Sequence, residues 1–327
     1  MSTKTMVESI RECLRQEMEN DDRVLVIGED VGRLGGVFRA TDGLLEEFGA
    51  ERVVDMPLAE GVIVGSGIGL ALSGLRPVIE IQFLGFGHQA FHQIGQQAAR
   101  MRYRSQGRLS VPLVIRAPFG GGVRTPELHS DAFEAFYTHT PGLKVVAPAT
   151  AYDAKGLLAE AIASDDPVLF LEPLKGYRLT SDEVPEERYR IGFGKARTVR
   201  EGTDVTLIAW SAASSLAESA AERLEEIGVS AEVIDLRTLV PLDIESIAAS
   251  VTKTGRVAIV HEAPLTAGFG AEVTATIQQE CFYSLEAPIR RITAPDSPYP
   301  LAGIEDLYLP SIDRVVAEVS EILAVSA

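Results

Sequence analysis

Short apolar segments alternate with longer helical ones along most of this chain, in two runs separated by one stretch that does neither. The first run reads RVLVIGED (23–30), RPVIEIQF (76–83), PLVIRAP (112–118), KVVAPA (144–149) and PVLFLEP (167–173) as buried strands. Between them, Met6, Ile10, Cys13 and Leu14 repeat at helical spacing within residues 6–19. Residues 60–75, EGVIVGSGIGLALSGL, are too long and too rich in small residues for a strand, and predict a buried helix. Residues 88–105 and 151–164 predict two more helices, and Thr41 is placed to cap a short one ending at Phe48. Strands that alternate with helices require a parallel sheet with right-handed crossovers. Residues 174–194 are charged, turn-rich and aperiodic, and read as a connection. A second run follows, with strands at 204–210, 230–239, 256–263 and 288–296 and helices at 214–228, 244–255, 272–285 and 313–324. The chain is therefore expected to be α/β, with two domains in series (1–190 and 191–327) and mainly parallel sheets.

Charge narrows the partners. Asp and Glu number 47 against 30 Lys and Arg, a net charge of −17. Such a surface repels phosphate backbones, so no nucleic acid is expected. No apolar run is long enough for a membrane span, and the N-terminal residues resemble neither a secretory signal nor a transit peptide, so a cytoplasmic protein is expected. Cys13 and Cys281 are the only cysteines. Two distant thiols make neither a zinc motif nor a disulfide framework, and both read as packing residues in a reducing compartment.

Open parallel sheets bind ligands beyond the carboxyl ends of their strands. Four segments bring polar groups there: Asp30-Val31, MPLAEG (56–61), EIQFLGF (80–86) and the loop 119–130. Glu60 lies between Met56-Pro57-Leu58 and Val62-Ile63-Val64. A carboxyl in apolar surroundings is held more readily as the neutral acid, which can donate a proton to a ring nitrogen. By position alone Glu60 equally fits a first-turn acid stabilised by the helix dipole. His129 ends a Gly-rich loop, where a histidine suits general acid or base work or simply faces solvent. His139 lies near a turn. His88, His92 and His261 suggest helix surfaces or a strand end and receive no role. The Gly120-Gly121-Gly122 run lacks the Lys-Ser/Thr ending of a P-loop, and Gly65-Ser66-Gly67-Ile68-Gly69 lies inside a helical run. Both read as close packing or flexibility.

Taken in order, VIGEDVGRLGGVFRAT, PLAEGVIVGSGIGLALSGLRPVIEIQF, GQQAARMRYRS, PLVIRAPFGGGVR, LHS, DLRTLVPLD and SVTKTGRVAIVHEAP resemble the beta subunits of 2-oxoacid dehydrogenase decarboxylase components, over nearly the whole chain. That family includes pyruvate, branched-chain 2-oxoacid and acetoin dehydrogenases. The resemblance implies a pyrimidine-binding thiamine-diphosphate fold followed by a transketolase C-terminal-like domain. It also implies oxidative decarboxylation of a 2-oxoacid and reductive acylation of a lipoyl group, with the cofactor as electron sink. It implies that Glu60 bonds the aminopyrimidine ring and promotes the tautomer that activates the thiazolium carbon. Leu58 and Gln82 match positions lining the pyrimidine pocket, Phe86 an aromatic packed on that ring, and His129 the histidine that assists transfer to the lipoyl arm. The sequence departs from many relatives in three places. Glu127-Leu128 precede His129 where a further histidine is common, Phe86 lacks a hydroxyl, and Gly85 replaces an acid or Asn.

The family's magnesium motif, Gly-Asp-Gly followed by Asn-Asn, has no match. Asn20 is the single asparagine, and Asp42-Gly43 the single Asp-Gly. No metal ligand is therefore assigned here. The resemblance implies an alpha subunit that holds Mg2+ and the diphosphate, an α2β2 tetramer with the thiamine diphosphate shared between subunits, and docking on a lipoyl acyltransferase core. Two other readings are an acetoin-cleaving or split transketolase-like subunit, and a non-catalytic binding module that keeps the fold.

Overall fold

A computed structural model of the protein describes residues 1–324. In chain order its strands are Ser2–Thr5 (β1), Val24–Gly28 (β2), Val53–Asp55 (β3), Arg76–Glu80 (β4), Val114–Phe119 (β5), Lys144–Val146 (β6), Val168–Pro173 (β7), Ser181–Val184 (β8), Arg197–Arg200 (β9), Val205–Ala209 (β10), Ala231–Asp235 (β11), Thr238–Val240 (β12), Val257–Pro264 (β13) and Arg290–Ala294 (β14). Seven form one sheet in the order β12-β6-β7-β5-β4-β2-β3, parallel except for β12. Five form a second in the order β14-β13-β10-β11-β9, parallel except for β9. The expectation of two mainly parallel α/β sheets in series is borne out. β2, β5, β7, β10 and β11 are buried at every residue, as strands must be when helices cover both faces.

The helices follow from their sequences. Met6–Asn20 begins with a capping box, in which Thr5 accepts from the Glu8 amide and the Glu8 carboxylate accepts from the Thr5 amide. Ile244–Thr254 is capped by Asp243 and ends at Gly255 in the left-handed region. Glu60–Leu72 needs its small residues. A Cβ at Gly67 would approach Ile79 and Leu113 to 3.0 Å, so this helix lies nearly on the sheet.

Several expectations change. Thr41 is not a cap: its hydroxyl donates to the Val31 carbonyl at 2.7 Å, and Gly43 precedes the helix Leu44–Phe48. Residues 88–105 are not one regular helix. A 3-10 turn, Leu84–Ala90, leads into a π-helical segment, His92–Ala98, and then a short α-helix, Met101–Arg104. The segment is wedged between Gly61 of the neighbouring helix, whose Cβ would lie 3.4 Å from the Gln89 carbonyl, and Gly142, whose Cβ would strike the Ala99 carbonyl. Wound-out turns of this kind recur at functional sites. The connection 174–194 is partly ordered into the first lobe, because β8 pairs antiparallel with β1. His261 lies in β13, as the predicted strand 256–263 has it, and is fully buried and stacked on Trp210 at 4.8 Å.

The predicted strand 230–239 is in fact two. Arg237 takes φ +57°, and beyond it the chain leaves the five-stranded sheet and joins the edge of the other, pairing β12 with β6. One strand of the second run thus completes the first sheet. Cys13 and Cys281 are free and buried, as expected.

Candidate active site

The carboxyl ends of β2 to β5 converge on one edge of the seven-stranded sheet. The amide of Met56 donates to the Gly28 carbonyl at 2.8 Å and leads the MPLAE segment off that edge into the helix Glu60–Leu72. Ala59 precedes this helix and supplies no side-chain cap. Glu60, its first residue, is 5% exposed, and its Oε2 has no hydrogen-bond partner. A buried carboxyl oxygen without a donor is costly and marks a place where a polar group is missing. Glu29, at the end of β2, is raised above the ordinary carboxylate range by burial, then by the negative charges of Asp30 and Glu60, which puts Glu60 close to this acidic turn. Leu58 is 69% exposed and Val62 also faces outward, so the buried acid is flanked by apolar surface.

Gln82 follows β4 and is half-buried. Next comes the turn that carries Phe86, closed by the Phe86 amide on the Phe83 carbonyl at 3.0 Å. Phe83, Phe86 and His129 form one edge-on aromatic cluster. The His129 ring centre lies 4.5 Å from Phe83 and 5.1 Å from Phe86, and the two phenyl rings are 5.6 Å apart. His129 ends the short 3-10 turn Glu127–His129, and its Nδ1 is buried without a partner. Gly85 is required here. A Cβ at that position would sit 2.3 Å from the Leu128 carbonyl and 2.9 Å from the Asp131 carboxylate, so the departure at position 85 lets the His129 loop close on the Phe86 turn.

The structure therefore brings Phe86 and His129 into contact. Glu60 is placed nearby on a different element, and the segment Leu84–Ala90 touches both its helix and the His129 turn. Two residues at this edge were not singled out from sequence. Phe83 packs closest on His129, and Asp131 lies two residues beyond it. Burial, then Glu127, raises Asp131 to about 6. A count of aromatics in FLGF would have flagged Phe83; nothing local distinguishes Asp131. His139 caps the helix Glu134–Thr138 and lines a recess of about 1250 Å³ at the junction of the two lobes, away from Glu60 and His129. Among the described residues no group of three or more His, Cys, Asp or Glu is placed to hold a metal ion, and no helix is long and apolar enough to cross a membrane.

Residues 2–180 match the family described as transketolase, pyrimidine binding domain, and residues 194–315 match transketolase, C-terminal domain. The chain is 52% identical to the pyruvate dehydrogenase E1 component subunit beta of Bacillus subtilis over 323 residues, covering 99% of both chains. The chain belongs to the beta subunits of 2-oxoacid dehydrogenase decarboxylase components. The subunit of the same description from Staphylococcus aureus is 50% identical, again covering 99% of each. Among solved structures, a split-gene transketolase described as an inactive beta4 tetramer has the same fold as this beta subunit, with a TM-score of 0.82 at 23% identity over 99% of both chains. The transketolase of Leishmania mexicana aligns with a TM-score of 0.74 at 17% identity, over 99% of this chain and 46% of the larger enzyme. The family depends on thiamine diphosphate, and the beta subunit acts in 2-oxoacid oxidation.

Proposed function

We propose that this beta subunit carries the pyrimidine half of a thiamine-diphosphate site, with Glu60 as the acid that engages the ring. The observation that carries the proposal is the orphaned Oε2 of Glu60, buried at a helix start beside outward-facing Leu58 and Val62. A buried acid with a free oxygen fits a ring nitrogen. Leu58 and Gln82 would line that ring and Phe86 would pack near it. When bound, the cofactor supplies the electron sink for loss of carbon dioxide from the 2-oxoacid.

The chain's own residues then have separate tasks. Glu60 would offer its unpartnered Oε2 to the ring nitrogen. His129 presents Nδ1, unpartnered, from the loop beside Phe86, and serves the proton movement that accompanies transfer of the acyl group to a lipoyl arm. Phe83 and Phe86 pack edge-on against that half-buried imidazole.

The description of the relatives favours pyruvate as substrate. An alpha subunit would supply Mg2+ and the diphosphate grip in an α2β2 assembly, since the sequence has no Gly-Asp-Gly and Asn-Asn pair, and apolar Leu58 and Val62 would face it. A lipoyl acyltransferase core would receive the product in a cytoplasmic complex. We place the divide between the two domains near residue 190. The test is co-expression with an alpha subunit of the family and measurement of carbon dioxide release from pyruvate and branched-chain oxoacids, with acetaldehyde release read for acetoin. Release from pyruvate only with both subunits is the expected result. Tight binding of thiamine diphosphate and magnesium by this chain alone would overturn the two-subunit reading.

A further inference from the structure

The loop that ends in His129 begins in the grip of the second lobe. The Gly121 amide donates to Glu262 Oε2 at 2.9 Å. The amides of Gly122 and Arg124 both donate to Glu305 Oε1, at 3.2 and 3.1 Å. Tyr299 donates its hydroxyl to the same Oε1 at 2.6 Å, and that hydroxyl also accepts from the Gly122 amide at 3.3 Å. Arg124 reaches on to the Ala302 carbonyl at 2.6 Å. Glu305 is 1% exposed, so this is a buried carboxylate whose donors come mostly from a distant stretch of backbone.

The triple glycine is explained by this grip. Gly120 has φ +77°, and a Cβ on it would lie 2.5 Å from Glu262; a Cβ on Gly121 would lie 1.9 Å from the Tyr299 hydroxyl. No side chain fits between these amides and the groups that bind them. Successive amides turned toward one anion form a nest, and here the anion is a side chain of the other lobe. The far limb of the loop is tied back by the Gly120 amide on the Asp131 carbonyl at 3.3 Å and by the contact of the Thr125 and Ser130 hydroxyls. Between these ties lies His129, on Phe83 and Phe86. Its position is therefore set at one end by the first sheet and at the other by Glu305.

We infer that Glu305, assisted by Tyr299, is a positioning residue for His129, through which the second lobe governs acyl transfer to the lipoyl group and leaves decarboxylation alone. The inference rests on the role proposed above for His129. Glu305 binds the loop at Gly122 and Arg124, several residues before His129, and its side chain hydrogen-bonds only to those backbone amides and Tyr299, so its removal displaces the histidine while Glu60 stays on its own helix.

The assembled enzyme is assayed in two ways: carbon dioxide release with a dye as electron acceptor, and reductive acylation of a free lipoyl domain. A misplacement of about 1 Å can cost ~100-fold, so Glu305→Ala should slow lipoyl acylation by about that factor and leave dye-linked release within about twofold. Glu305→Gln keeps an acceptor oxygen and should restore acylation to within about fivefold, and Tyr299→Phe, which removes one bond, should cost about tenfold. Hydrogen exchange should show the Gly122 and Arg124 amides losing protection in Glu305→Ala and regaining it in Glu305→Gln. Equal losses in both assays, or unchanged exchange and acylation, overturn the inference. If His129→Ala slows acylation while Glu305→Ala does not, this inference alone fails. If His129→Ala leaves acylation intact, the earlier reading fails and takes this one with it, whatever the exchange shows. Should Glu305→Ala not assemble, the same split in Tyr299→Phe decides.

Discussion

Two buried acidic sites in the first lobe, one on strands of the seven-stranded sheet and one at the start of a helix beside it, behave oppositely. In the first, Arg116 of β5 sits between Glu80 of β4 and Glu172 of β7. Its Nη1 binds Glu80 at 2.8 Å, while Nε and Nη2 form a two-pronged pair with Glu172 at 2.7 and 2.9 Å. Tyr177 donates to Glu172 as well. Arg116 is 1% exposed. Burial works against its charge, but the carboxylates of Glu172 and Glu80 outweigh that and raise its pKa. In the second site, Glu60 has an oxygen with nothing bound to it and apolar neighbours that face outward. A buried acid whose partners are all present stabilises a structure; one that lacks a partner at the end of parallel strands is shaped for a ligand. Burial alone does not separate glue from site, whereas satisfaction of the oxygens does.

The contrast predicts a double dissociation. Glu60→Gln keeps size and loses the acid. Decarboxylation should fall by ~10³-fold or more, since positioned proton transfer contributes 10²–10⁴, with the thermal midpoint and assembly unchanged. Retained turnover would remove Glu60 from the chemistry. Arg116→Met should do the reverse. It strands two buried carboxylates, and breaking such a pair costs about 3–5 kcal/mol, read as a lower denaturation midpoint; a fully stable variant would show that the cluster is not glue. His129→Ala should be milder on decarboxylation and lower lipoyl acylation by about 10²-fold. Equal loss in both half-reactions would cancel the division of labour between the two edges.

The same contrast shows what could be read from sequence. The two alternations located the buried parallel strands, because burial on both faces leaves continuous apolar runs, as in VLVIG and VLFLEP, but not the short strands β1, β3, β8 and β9. Glu60 was legible because it interrupts such a run. The pairing of β12 with β6 was not legible, since it depends on the turn at Arg237 and on a partner about ninety residues away. The winding of 84–104 was hidden for a similar reason: Gly61 and Gly142, far apart in sequence, set the space available. Gly120-Gly121-Gly122 was visible as close packing, but its partners Glu262, Tyr299 and Glu305 lie well over a hundred residues further on. Local pattern announces the elements and the lone acid. Long-range pairing decides which loop is held and by what.

A third acidic site tests where the line between glue and site falls. Glu134 is 1% exposed, and one of its oxygens accepts from Trp210 Nε1 at 3.3 Å while the other has no partner. Burial first, then repulsion from Glu262, raises it from 4.5 to about 7. With the folded value above the unfolded one, the native state binds more protons between the two. The stability Glu134 contributes is thus complete below about 4.5 and is lost as pH rises through about 7. Glu134→Gln has no such proton to lose. Its stability relative to the wild type should improve by up to ~3 kcal/mol between pH 5 and pH 8, the size of a shift of roughly 2.5 pKa units, seen as diverging denaturation midpoints. Parallel curves would mean that Glu134 keeps its charge at all these pH values and has a partner after all, which would move it to the side of Arg116 and leave Glu60 as the one of the three sites that is short of a donor.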